Sequence, residues 1–400
     1  MYRIQEGKDR EKDILLIPAM LDAHFPLLQY AFYSKNYHPI ILENEDNITD
    51  MGLRYVHNDM CYPSILCIGQ MLSALQSGKY DLSRTRLLMP SAGDGCRGSN
   101  YTSLLRKALK NAGFPQVKVL SLNVKGVERE NQMKLEPGMV WRALFGLFYG
   151  DMLMLLLQQV RPYEKVSGTA QACWKHWVRV LSEDLRTGRN LTLRSLKRNF
   201  LRIAEDFSKI ERTGKTKQRI GIVGELYIKY CHLGNWDMVR FLEEEGCESY
   251  TNGLSWYTLY YIDSHLRDSR RLEKAGYRLV GAVLERLQKK MIQALRRFGF
   301  YSLEPFSILK EEAKGYVSYS TQTGDGWLIG AEAVGCIKHG CRKVAAVQPF
   351  GCLPNHVCGK GIYSSLCKRL PDGLIVSVDV DSSGSRLNVY NRVKMLLDFR

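Results

Sequence analysis

Short apolar runs alternate with longer amphipathic stretches through the first 125 residues. DILLIPA (13–19) is apolar at successive positions, as a buried strand requires, and DAHFPLLQYAFYSKNY (22–37) repeats its apolar residues at helical spacing. HPIILEN (38–44) predicts a second strand and SILCIGQMLSALQSGKY (64–80) a helix ending at Gly78. TRLLMPS (85–91), TSLLRKALKNAGF (102–114, closed by Gly113) and QVKVLSLN (116–123) continue the rhythm as strand, helix and strand. Strands alternating with helices predict a parallel, doubly wound sheet.

The rhythm changes between residues 126 and 216. WRALFGLFYGDMLMLLLQQV (141–160), TAQACWKHWVRVLSEDL (169–185) and TLRSLKRNFLRIAEDFSKI (192–210) are long, mostly amphipathic and poor in strand candidates. A second α/β region opens at RIGIVGELYIKY (219–230). It continues through WDMVRFLEEEG (236–246), the strand and loop VAAVQPFGCLPNHVCGKG (344–361) and the helix IYSSLCKRL (362–370). GLIVSVDVD (373–381) reads as a strand and RLNVYNRVKMLLDF (386–399) as the last helix. The expected architecture is α/β: a Rossmann-like unit over 1–125, a basic helical segment over 126–216 and a second Rossmann-like region over 217–400.

Composition changes this picture little. The chain has 400 residues, 45% of them hydrophobic and 24% charged, ordinary values for a globular protein with a sizeable core. The most apolar stretch, 141–160, carries Asp151 at its middle, so a buried helix is expected rather than a membrane span. The opening MYRIQEGKDREKD is charged and lacks the apolar centre of a secretory signal, which predicts a cytoplasmic protein.

Charge adds a partner question. The net charge is +16, and residues 141–217 hold 15 Lys and Arg against 7 Asp and Glu, half of the excess. Such a face is either solvated or meets an acidic protein or a phosphate-bearing ligand such as a coenzyme A ester. Nucleic acid is not expected: zinc-finger spacing, an RNP-like aromatic motif and a basic tail are all lacking.

The eleven cysteines, an odd number, argue against a disulfide framework and for a reducing compartment. Those inside apolar stretches (Cys67, Cys173, Cys231, Cys367) read as small core residues. Cys61 in HNDMCYPSIL, Cys96 in GDGCRGSNY and Cys352 in QPFGCLPNHVCGKG each precede a predicted helix. Unpaired N–H groups and the dipole at a helix start favour a thiolate, and ligands of open α/β sheets gather beyond the strands' carboxyl ends. Three such loops can converge on one metal site, and soft thiolates select iron–sulfur clusters or zinc.

Other patterns compete for these residues. Gly93, Gly95 and Gly98 fall on the spacing of a dinucleotide fingerprint, but no acid for the ribose follows in FPQVKVLSLNVKG. TGKT (213–216) resembles the end of a phosphate loop, yet Lys209 stands where such a loop needs glycine. Cys336, His339 and Cys341 in GCIKHGCRK form a weak zinc pattern. Cys358 is a possible extra cluster ligand. His356, on the Cys352 loop, is either a proton donor or a loop hydrogen-bonder, and Glu225 either faces the ligand crevice or bonds to backbone.

Together HNDMCYPSILCIGQ, GDGCRGSNYTSLLRKAL, GDMLMLLLQQVRPYE, RIGIVGELYIKY, GDGWLIGAEAV and QPFGCLPNHVCGKG resemble the 2-hydroxyacyl-CoA dehydratase family, nearest to its activase-related branch. The resemblance spans nearly the whole chain, with GCLPNH and RPYE as its more specific segments. It implies Rossmann-like domains around an iron–sulfur cluster, 4Fe-4S or larger, held by Cys61, Cys96 and Cys352. Gly95, Arg97, Asn100 and Asn355 are its expected cofactor-binding neighbours, and His356, Glu225 and Glu332 its candidate catalytic groups. It further implies an ATP-dependent activase as electron donor, an acyl-CoA ester as substrate, a homo- or hetero-oligomer and a place in anaerobic metabolism. In such enzymes a single electron turns a 2-hydroxyacyl-CoA into a ketyl radical that expels its hydroxyl group, a lyase reaction. Related proteins of the same fold instead carry out other reductions. The alternative is a non-catalytic, cluster-carrying electron-transfer or assembly partner of the activase.

Overall fold

Among the described residues, eight strands form two sheets, and every pairing within them is parallel. The first sheet joins β1 (Asp13–Ile17), β2 (Tyr37–Ile41), β3 (Thr85–Pro90) and β4 (Lys118–Leu122) in the order β2-β1-β3-β4. The second joins β5 (Arg219–Gly224), β6 (Glu248–Thr251), β7 (Lys343–Pro349) and β8 (Leu374–Val380) in the order β6-β5-β7-β8. The computed structural model describes residues 12–91, 95–122, 133, 135–268 and 270–399. Gly93 and the expected boundary near residue 125 lie outside these described residues. The α/β, Rossmann-like class predicted from the alternation of apolar runs is the architecture found.

Each sheet reverses direction between its two central strands, and this sets the function-bearing ends. Chain growth turns one way after β1 and the other after β3, and likewise after β5 and β7. Loops at such a reversal splay apart and leave a crevice at the carboxyl ends of the strands. Gly224, the last residue of β5, has φ of 125°, and a Cβ there would lie 2.0 Å from the Val347 carbonyl oxygen. Only glycine permits β5 and β7 to approach so closely at the crevice.

The three expected middle helices are present as Pro137–Val160, Thr169–Thr187 and Leu193–Ser208. The helical layer then recruits a hairpin from later in the chain, Leu254–Asp268 and Arg271–Arg297, inserted between β6 and β7. The Pro137–Val160 helix is long and apolar enough to cross a membrane. Here it is packed inside protein: Phe145, Phe148, Leu153 and Leu156 are fully enclosed with Phe200, Trp256 and Met291. Asp151 at its middle is completely buried, and three partners satisfy it. His24 Nε2 lies 2.8 Å from Oδ1, which also accepts Leu254 N–H at 2.6 Å, and Oδ2 accepts Ser255 N–H at 3.0 Å. A carboxylate that would be costly in lipid thus caps the helix Leu254–Asp268.

A second apolar cluster takes Leu16, Leu87 and Met89 from the first sheet and Ile220, Ile222 and Val347 from the second. The two α/β units therefore share one core. Beside it the loop after β1 meets the turn after β5, where Asp22 N–H donates to the Tyr230 carbonyl oxygen at 3.2 Å.

Candidate functional site

Three cysteines stand where strands or turns deliver the chain to a helix. Cys61 immediately precedes the helix Tyr62–Gln76, with proline in its first turn. Cys96 follows β3 and precedes the short turn Arg97–Asn100. Cys352 follows β7 and precedes the turn Leu353–Asn355. Cys96 and Cys352 follow strands as expected but open short turns of four and three residues, whereas Cys61 opens a long helix and is reached from the helix Ile48–Tyr55, not from a strand.

Each of the three sulfurs has a hydrogen-bond donor beside it. Tyr101 O–H lies 3.1 Å from Cys61 Sγ, Gly98 N–H 3.3 Å from Cys96 Sγ and Asn355 Nδ2 3.4 Å from Cys352 Sγ. Donors aimed at sulfur stabilise a thiolate and tune a metal bound to it. Asn355 is completely buried, its Nδ2 also donates to Asp325 Oδ2 at 3.1 Å, and its Oδ1 has no partner among the described residues.

Glu225 links the loops electrostatically. It follows β5 and caps the turn Leu226–Tyr230, its Oε2 accepting Ile228 N–H at 2.9 Å. Burial pushes the Cys61 thiol up to about 12, with the Glu225 charge the next contributor and Cys96 a smaller one; Arg97 and the Tyr101 bond oppose them. Burial and then Glu225 push Cys352 up as well. Glu225 itself is raised by burial and by the neighbouring Asp325, and Asp325 by its own burial, against the pull of Lys229 and Asn355. The metal-free site thus holds neutral thiols and a protonated Glu225, while Asp325, raised only to about 6, is ionised near neutral pH. A bound cation reverses that balance, because its charge is the largest in the site.

A turn without cysteine or apolar signature completes the site. Gly324, with φ of 58°, would place a Cβ 2.8 Å from Pro354 Cγ, so the 321–325 turn packs directly on the Cys352 loop. It brings Asp325 to Asn355, and it brings Thr323 to Gly95, where a Cβ would lie 3.0 Å from Thr323 Cγ2. Sequence pattern alone does not single out Tyr101, Asp325 or Lys229. Asp325 leaves a signal in GDGWLIG, an acid at the start of an apolar helix. Lys229 leaves one as a lone cation in the apolar LYIKY.

The other expected residues take varied places. Arg97 is exposed and bonds the Asp59 carbonyl oxygen, and Asn100 is exposed at the start of the helix Tyr101–Asn111. His356 is a loop hydrogen-bonder: its Nδ1 is 2.9 Å from the Cys352 carbonyl oxygen and its Nε2 3.5 Å from Lys360 Nζ. Glu332 is buried and ion-paired with Lys229 at 2.9 Å, with Asn252 Nδ2 at 3.3 Å. Cys358 is buried, its thiol bonded to Thr321 and within the field of Asp325. The weak zinc pattern does not assemble. His339 Nε2 turns to Glu312 at 2.9 Å, while the thiols of Cys336 and Cys341 bond each other in the core.

Among the described residues, one set of histidine, cysteine and acidic side chains brings three ligand atoms within 4.8 Å of one another: Asp22, Cys231 and His232. Cys61, Cys96 and Cys352 do not form so tight a triangle, and a cubane cluster does not ask for one, since its ligand sulfurs stand roughly 5–8 Å apart. No family model, curated protein or solved structure matches the chain.

Proposed function

We propose that the protein is an iron–sulfur protein of the 2-hydroxyacyl-CoA dehydratase kind, taking low-potential electrons from an ATP-dependent activase. The observation that carries this reading is the triad of sulfurs. Cys61, Cys96 and Cys352 come from three separate loops at the crevice, and each has its own donor in Tyr101, Gly98 or Asn355. A cluster held there would supply one-electron reduction of a bound substrate.

The chain's own groups would do the rest. Tyr101, the Gly98 amide and Asn355 would orient the sulfurs and hold electron density on them. Glu225, kept protonated by burial and by the neighbouring Asp325 charge, offers a neutral carboxyl that would donate a hydrogen bond or a proton to a carbonyl or departing hydroxyl. The exposed cations of the helices Thr169–Thr187 and Leu193–Ser208 would meet an acidic electron donor or the phosphates of a coenzyme A ester.

Anaerobic purification followed by iron and acid-labile sulfide analysis tests the reading. Several iron atoms and matching sulfide per chain, with absorbance bleached by dithionite, are expected. A chain that folds but holds neither after anaerobic reconstitution refutes it. Acyl-CoA binding to the iron-loaded protein then separates a dehydratase or reductase from an electron carrier.

A further inference from the structure

A second ligand set lies where the two α/β units meet, between the loop after β1 and the turn after β5. Asp22 belongs to the first, and Cys231 and His232 to the turn that ends the helix Leu226–Tyr230. The carboxylate oxygen, the thiol sulfur and a ring nitrogen of these three all lie within 4.8 Å of one another. Backbone bonds fix the two sides. Asp22 N–H donates to the Tyr230 carbonyl oxygen at 3.2 Å, and His232 N–H donates to Asp22 Oδ2 at 2.7 Å.

We propose that Asp22, Cys231 and His232 bind a zinc ion that staples the two α/β units together. The donor set is one oxygen, one sulfur and one imidazole nitrogen, a mixture that suits zinc and none of the hard oxygen-seeking cations. His232 presents Nδ1 to Asp22 at 2.9 Å and Nε2 to Glu45 Oε1 at 3.0 Å. With Nδ1 on the metal, the opposite N–H donates to Glu45, the carboxylate–histidine–metal relay that fixes ring orientation in zinc sites.

An independent feature marks the sulfur. Cys231 is completely buried, its thiol donating to the Ala19 carbonyl oxygen at 3.6 Å, and the fully buried Tyr227 hydroxyl lies beside the sulfurs of both Cys231 and Cys67. A phenol kept for sulfur serves a thiolate better than a thiol, because the thiolate is the stronger acceptor.

Zinc at this place displaces the Cys231 thiol proton and any proton held on His232 Nδ1. Tetrahedral bonds of roughly 2.0–2.3 Å put ligand atoms about 3.3–3.8 Å apart, so the His232 Nδ1–Asp22 pair opens slightly from its 2.9 Å hydrogen bond to admit the ion, within the present 4.8 Å span of the set. Asp22 and His232 are each more than a third exposed on their side chains, which leaves the fourth position to water. The site shares no ligand with the cysteine triad and does not depend on a cluster being bound there.

The test uses the full-length, zinc-free protein titrated anaerobically with cobalt(II), whose thiolate bond gives a charge-transfer band. One equivalent is expected to bind with that band, zinc is expected to displace it, and zinc is expected to raise the melting temperature. Cys231→Ser should abolish the band. His232→Gln and Asp22→Asn, at partly exposed positions that tolerate the change, should each weaken binding at least tenfold. Glu45→Gln should weaken it 10- to 100-fold while keeping the band. Should Cys231→Ser fail to fold, the other three variants still decide. A cobalt band and zinc affinity unchanged in His232→Gln and Asp22→Asn, or no thiolate band in the wild type, would overturn the proposal.

Discussion

At the scale of single residues, the sulfur donors make separable predictions. Cys96→Ser keeps the volume but replaces a soft ligand with a hydroxyl that ionises poorly. The variant is expected to fold with wild-type circular dichroism and to retain less iron than the wild type. Tyr101→Phe removes only the donor 3.1 Å from Cys61 Sγ. It should retain iron but shift the reduction potential downward, because hydrogen bonds to sulfur favour the more negative, reduced state. Potentiometry showing no shift would remove Tyr101 from that role. His232 carries a pH signature in the zinc-free protein. Its bond to Asp22, aided by Glu45 and opposed by partial burial, raises it from 6.5 to about 9. A raised value means that the protonated form is stabilised on folding. Its contribution is therefore complete below pH 6.5 and lost as pH rises through about 9. The stability gap between the wild type and His232→Gln, both treated with chelator, should be wider at pH 6 than at pH 9.5, as read by urea unfolding.

Elements show where the sequence is readable and where it is not. Seven of the eight strands lie in apolar runs bounded by turn residues, which is why their positions can be read directly. The exception is β6, ESYT, whose polar residues are all buried. Glu248 is paired with Arg219 at 2.6 Å and Tyr163 at 2.7 Å, and Thr251 N–H with Gln158 at 3.0 Å. Burial offset through distant partners leaves no hydrophobic pattern to detect. The cysteine loops are legible because proline flanks Cys61, glycines flank Cys96 and both flank Cys352. Asp325 and Tyr101 are not, because a turn over two hundred residues from Cys96 and a helix facing Cys61 reach the site only on folding. The same reasoning applies to Lys229 and Glu332, an ion pair 2% and 1% exposed. Lys229→Met leaves Glu332 without its cation and is expected to cost about 3–5 kcal/mol in denaturant unfolding, whereas the double replacement Lys229→Met with Glu332→Leu should recover most of that loss. In the strand β5, Gly224→Ala should cost about 2–3 kcal/mol, since both φ and the Val347 carbonyl oppose a side chain.

At the scale of the molecule, two parallel sheets with a shared core place two kinds of metal-ligating chemistry along one seam. Cys96 and Cys352 follow the central strands β3 and β7, Cys61 precedes the helix Tyr62–Gln76, and Asp22, Cys231 and His232 meet between the same two units. The net charge of +16 gives the assembly a long-range preference for acidic partners. Arg189, Arg194 and Arg198 are exposed on the helical layer, while Arg186 is already engaged by Glu183 at 2.7 Å. Docking of an acidic electron donor on that face should weaken as salt rises, because exposed charges are screened beyond about 8–10 Å near physiological ionic strength. Reversal of Arg189, Arg194 and Arg198 to Glu should then slow association at low salt, and association rates that ignore both salt and these reversals would assign the face to solvent alone. The most direct measurement is the anaerobic EPR spectrum of the dithionite-reduced protein, taken with its iron and sulfide content and compared with the Cys61→Ser, Cys96→Ser and Cys352→Ser variants. A cluster signal in the wild type that is altered or lost in all three is the expected result, and a folded wild type without iron, or a signal indifferent to all three cysteines, would contradict it.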